Sequence, residues 1–201
     1  MPYHISLLFA LLACTCVRAQ NNDGLTLESN ENGVRVYVRS EDNGDMTVRV
    51  ITRARTQVQS VREVLDAADR YPEWVHRCDE AYAVAGGTPA NFIFVSGIDM
   101  PFPFRDKEVV ARVTQHVRSD GTLIRTITSE PQAIPENGKR DRLTVYRGEW
   151  VVTPLASGEV ELQCTVRTDA GSGLPNWLRR EIMTGGPSKT MTNLRERLSA
   201  K

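Results

Sequence analysis

Along residues 33–40, GVRVYVRS, valines alternate with other positions, so Val34, Val36 and Val38 share one face of an extended chain and Arg35, Tyr37 and Arg39 the other. The same two-residue period returns in MTVRVITRA at 46–54, and the intervening EDNGD supplies turn residues around an Asn-Gly pair. Together these segments predict a β-hairpin. The period then lengthens. In SVREVLDAADRYPEW, Ser60 and Glu63 stand at capping-box spacing, and Val61, Val64, Leu65 and Ala68 follow at helical intervals until Pro72 marks the limit. A short helix or turn carrying Trp74 and Val75 is expected next.

From 79 to 168 the chain returns to strand-like runs at 80–86, 90–99, 107–117, 121–130, 141–154 and 159–169, separated by Gly, Pro, Asn or Asp. The last alternates most cleanly, with Val160, Leu162, Cys164 and Val166 on one face. Successive strands with short turns predict an antiparallel meander. LPNWLRREIM at 174–183 predicts a helix with Pro175 near its first turn, TGGP at 184–187 interrupts it, and Met191, Leu194 and Leu198 form an apolar stripe on a closing helix. Residues 20–32 read as a polar lead-in. This order predicts a single α+β domain over 20–201, its curved antiparallel sheet covered by the C-terminal helix.

Charged residues make up 25% of the 201-residue chain, hydrophobic residues 40%, and the formal net charge is zero. That balance is ordinary for a globular protein and lacks the basic footprint of a nucleic-acid binder. The amino terminus is different. ISLLFALLACTCV at 5–17 is apolar apart from small polar residues, and VRA at 17–19 suits a signal peptidase, so residues 1–19 predict a signal peptide and an exported, periplasmic or secreted product. A buried amino-terminal helix is the alternative, and LLAC at 11–14 also resembles a lipobox that would anchor the chain through Cys14. Cleavage would leave two cysteines, Cys78 and Cys164. They could pair in an oxidising compartment, or Cys164 could stay free as a small hydrophobe on its strand's apolar face. No other run approaches the ~20 apolar residues of a membrane span.

Candidate chemistry is sparse. His76 and His116 are the only histidines after the leader, and neither has a Cys, Asp or second His at metal-ligand spacing. There is no G-x-S-x-G elbow and no phosphate-binding loop. No catalytic residue, metal or cofactor is expected. From Trp177 to Lys201, six basic residues face two acidic ones. Arg179, Arg180, Lys189, Arg195 and Arg197 are therefore candidates for transient docking on an anionic membrane surface, the alternative being a solvated helix face.

Five phrases resemble the START family of lipid-transfer modules: GVRVYVRS, RYPEWVHRCDEAYAV (70–84), PFPFRDKEVVARV (101–113), GEWVVTP (148–154) and GSGLPNWLRREIMTGGPSKTMTNLRERL (171–198). The resemblance spans nearly the whole chain after the leader and points to bacterial exported relatives. It implies a helix-grip fold, a curved sheet wrapped around a long C-terminal helix with an internal hydrophobic cavity. It implies non-catalytic binding, and transport, of a lipid, sterol or other hydrophobic molecule by a monomer. The family's Arg-Asp pair, aligned on PFPF and the following valines, falls on Lys107 and Glu108. Strand parity puts Lys107 on the face of Val109, Ala111 and Val113, toward the cavity, where it would meet a lipid head or an acidic partner, or snorkel outward as an edge lysine. The other candidate wall residues are Phe92, Phe94, Met100, Phe102, Trp150 and Leu174, with Trp74 a packing anchor beneath the first helices. Two readings compete: a helix-grip enzyme of cyclase or hydrolase type, favoured by converging acids or a histidine at the pocket, and an interaction module whose hollow is filled by side chains.

Overall fold

The computed structural model describes residues 24–42, 44–169 and 173–199. The predicted signal peptide at 1–19 and Cys14 lie outside them.

The valine alternation makes the first long hairpin. β2 (Val34–Ser40) and β3 (Met46–Ala54) pair antiparallel, and Val36, Val48 and Val50 are buried on one face. A further strand, β1 (Thr26–Glu31), precedes them where the pattern indicates only a polar lead-in. β1 is almost wholly exposed and pairs through its backbone with β2, so it carries no apolar alternation to read. Then come α1 (Val58–Asp66), a 3-10 turn over Ala68–Glu73 and a short β4 (Ala81–Ala83). β5 (Asn91–Ile98), β6 (Lys107–Val117) and β7 (Leu123–Ser129) follow. After β8 (Asp141–Arg142), the long strands β9 (Tyr146–Pro154) and β10 (Val160–Thr168) complete the sheet. Its order is β1-β2-β3-β10-β9-β7-β6-β5-β4, every pair antiparallel except that β8 lies parallel to β6. β10 therefore bridges the first hairpin to the later meander, pairing with both β3 and β9.

Two local expectations change. α1 starts at Val58 with Gln57 before it, so Ser60 and Glu63 lie inside the helix and form no capping box. TGGP does not end the C-terminal helix: α2 (Asn176–Arg180) runs through one π turn, Glu181–Gly185, into α3 (Gly186–Ser199). Proline lacks an N–H and crowds the carbonyl four residues back; the wider turn just before Pro187 accommodates both defects. A Cβ at Gly185 would come within 2.6 Å of Glu181 Oε2, so the glycine leaves room for that carboxylate.

α3 packs on β2 and β3, burying Met191, Leu194 and Leu198, while α1 buries Val61, Val64 and Leu65. The sheet thus grips the C-terminal helix with one continuous core, which includes Val152, Val160 and Leu162. The fold is α+β, as the element order predicts.

Candidate functional site, a cavity beneath the C-terminal helix

The core is not filled throughout. A cavity of about 220 Å³ lies between the concave face of the sheet and the α2–α3 helix. Alternation selects its floor: Tyr146 and Trp150 project from β9, and Cys164, Val166 and Thr168 from β10. Gly148, between Tyr146 and Trp150, keeps this floor low, because a Cβ there would press on Ile127 Cβ at 3.3 Å. The helix contributes Ile182, Met183 and Met191 as a lid, and residues 74–78 form a side wall.

The cavity sits toward one end of the sheet. Ile98, Val109, Ile127, Tyr146 and Thr168 all line it, and strand pairing places them toward the same end of their strands. Toward the opposite end of the strands the interior is closed by Arg125, only 1% exposed, which donates to Asp66 Oδ1 at 2.7 Å and Gln115 Oε1 at 3.2 Å and lies 5.3 Å from the Phe92 ring. A buried cation needs such partners.

Aromatic contacts stiffen the wall. Tyr71 meets Trp74 edge-on at 5.0 Å and Phe94 at 5.4 Å, and its hydroxyl donates to Leu65 O. Burial pushes the Tyr71 phenol up to about 12 and the Cys164 thiol up to about 12. Cys78 is also raised by burial. Both cysteines are free and both line the cavity, where burial disfavours their thiolate forms.

Polar contacts fasten the lid. His76 Nε2 is 3.2 Å from Glu181 Oε1, and Lys189 Nζ donates to the same oxygen at 3.1 Å. The His76 N–H donates to Thr190 Oγ1, Asn193 donates to Trp74 O, and Arg197 donates to Glu73 at 2.6 Å. Lys189 foremost, then His76, holds the Glu181 carboxyl below its usual range. Glu73, hydrogen-bonded by Arg70 and Arg197, is lowered to about 2.

No protein-family model matches the chain. An uncharacterized protein of Pseudomonas aeruginosa is 29% identical over 170 residues, 84% of each chain. Among solved structures, a STAR-related lipid transfer protein from Xanthomonas axonopodis superposes with a TM-score of 0.78 at 22% identity, covering 88% of this chain and 99% of that one. Human StAR-related lipid transfer protein 5 gives 0.76 at 16% identity, covering 90% and 89%. The chain has the START helix-grip fold.

Within the START fold the residues chosen from sequence scatter. Phe94 and Trp150 line the cavity, and Trp74, buried as a packing anchor, lines it too. Phe92 is buried beside Arg125 instead, and Met100 is buried away from the cavity lining. Phe102 is 97% exposed on the β5–β6 connection, and Leu174 is half-buried before α2. Lys107 does not line the cavity; its Nζ donates to Asp141 Oδ2 at 3.2 Å, beside Arg105 on Oδ1. Its neighbour Glu108 is deeply buried with Arg142 at 2.7 Å, and Arg142 also donates to the carbonyls of Pro131, Ile134 and Pro135.

The five C-terminal cations are largely engaged. Lys189 and Arg197 are paired as above, Arg195 donates to Asn32 O, and Arg180 lies 3.9 Å from Glu28. Arg179 is half-buried on α2. Sequence reasoning overlooked Tyr71, Tyr146, His76 and Arg77 as lining residues. Tyr146 was legible, sharing strand parity with Trp150; Arg77, in an irregular wall, gave no periodic signal.

Proposed function

We propose that this protein binds a hydrophobic small molecule beneath its C-terminal helix and carries it without chemical change. The observation that carries this reading is an unfilled, predominantly apolar cavity, roofed by a helix whose anchors to the side wall are polar. Those anchors exchange readily for water, at about 0.5–1.5 kcal/mol net per hydrogen bond. Ligand pockets span roughly 300–1,000 Å³; a cavity of about 220 Å³ takes one acyl chain or small ring system as it stands, and a larger ligand needs the lid displaced. The lipid-transfer names of its structural neighbours support the same reading.

Two of the most exposed large side chains stand near the cavity end of the sheet: Phe102 on the connection after β5, and Trp177, 63% exposed, in the first turn of α2. We assign that end to the approach to a membrane, with the C-terminal cations in a secondary role. Residues 1–19 support export. The test is transfer of a fluorescent fatty acid between vesicles, which the protein should accelerate and which alanine at Phe102 and Trp177 should slow. No binding across a panel of fatty acids, sterols and phospholipids would overturn the carrier reading.

One observation favours the enzymatic alternative: His76 lines the cavity and contacts Glu181. Hydrolysis of acyl esters that disappears in His76→Asn, with binding retained, would establish it.

A further inference from the structure

Among the described arginines, Arg77 and Arg125 each bury an Nε that has no hydrogen-bond partner, and of the two it is Arg77 that lines the cavity. It belongs to the cavity wall, between the 3-10 turn and β4, and has a φ of 60°, in the left-handed region that side-chain-bearing residues seldom occupy. Its position is fixed from both sides: Asp99 N–H donates to Arg77 O at 2.8 Å, and Arg77 Nη1 donates back to Asp99 O at 3.3 Å. The Asp99 carboxylate, 62% exposed, stays 3.9 Å away. That leaves the Nε side of the guanidinium. Nε is buried and has no hydrogen-bond partner, and no other described side chain takes up the Nε–Nη2 edge.

By contrast, Arg70, Arg112, Arg140 and Arg142 each engage acidic partners through two guanidinium nitrogens. A strained backbone and an orphaned donor on one residue mark a place held for something else. The Nε–Nη2 edge presents two parallel N–H groups, the planar fork that a carboxylate accepts in bidentate fashion. The cavity that continues from this wall is lined by Trp150, Val166, Val50 and Met191, which offer nothing ionic to a tail.

We propose that Arg77 is the head-group residue of the cavity and that the ligand is a single-chain amphiphile with a carboxylate head. The head lies against the Nε–Nη2 edge of Arg77, and the tail runs inward under the helix. A cavity of about 220 Å³ accommodates one chain rather than two. This rests on the carrier reading above and narrows it to one ligand class.

The experiment is calorimetric titration of the full exported chain with decanoate, 1-decanol and decyl phosphate, comparing wild type, Arg77→Met and Arg77→Lys. Wild type should bind decanoate. Arg77→Met should weaken decanoate at least tenfold and leave 1-decanol unchanged. Arg77→Lys, which keeps the charge and loses the fork, should fall between. Decanoate binding unaltered in Arg77→Met, or acid and alcohol weakened equally, would overturn the head-group role; 1-decanol binding that is lost in Cys164→Trp would leave the carrier reading standing. Tighter binding of decyl phosphate, lost in the same variant, would overturn the carboxylate assignment. A wild type that binds none of the three overturns both.

Discussion

Cys164 on β10 stands directly opposite Trp150 on β9, and both residues line the cavity. The small side chain leaves the space and the large one bounds it. Cys164→Trp should therefore fill the hollow and abolish ligand binding, at an overpacking cost of about 1–3 kcal/mol. Fluorescent fatty-acid titration beside a denaturant melt separates the two effects. Retained affinity would place the ligand elsewhere.

The same burial makes Cys164 a chemical reporter. Its thiol, raised to about 12, stays protonated at pH 8 and should resist iodoacetamide in the folded protein, then react on unfolding. Mass spectrometry of the alkylated peptide reads this directly.

The Glu181 latch should set exchange rates. Glu181→Gln weakens the contacts with Lys189 and His76, and ligand dissociation should quicken about fivefold, the factor worth ~1 kcal/mol. Gly185→Ala should act similarly, since its Cβ displaces the Glu181 carboxylate. Because the folded value of Glu181 lies below 4.5, the latch is fully present above that pH and is lost as pH falls through the lowered value. Stopped-flow dissociation should thus accelerate in acid, as pH falls through the lowered Glu181 value. An unchanged rate in Glu181→Gln would remove the latch from the mechanism.

Glu108 and Arg142, at 5% and 4% side-chain exposure, form the most deeply buried ion pair among the described residues. Removing one partner strands the other charge, so Arg142→Ala should cost about 3–5 kcal/mol in urea unfolding. Arg105→Ala, at an exposed pair, should cost less than about 1 kcal/mol. Comparable losses would contradict this division of the cluster that follows PFPF.

Much of this architecture was legible wherever side-chain burial alternates. β2, β3 and β10 announce themselves because Val36, Val50 and Leu162 face a core while their neighbours do not. β1 was invisible because it is held by backbone pairing to β2 rather than by a buried apolar face. TGGP read as a break because glycine and proline disfavour α-helix, whereas a π turn tolerates them when buried side chains hold both flanks, Leu178 in α2 and Met191 in α3. The site was less legible. Parity correctly places Lys107 on the face of Val109, yet Asp141 from β8 reaches it first, and no local pattern encodes a parallel two-residue pairing. Arg77 owes its interest to a backbone angle and a missing partner, neither of which composition records.

The central claim is that the cavity under the C-terminal helix carries a hydrophobic molecule. Native mass spectrometry of the protein purified from its own host tests it most directly. The expected spectrum shows one lipid-sized adduct per chain, absent from Cys164→Trp prepared identically. A wild-type protein that arrives empty and stays empty against the lipid panel, or an adduct that survives in Cys164→Trp, would contradict the account.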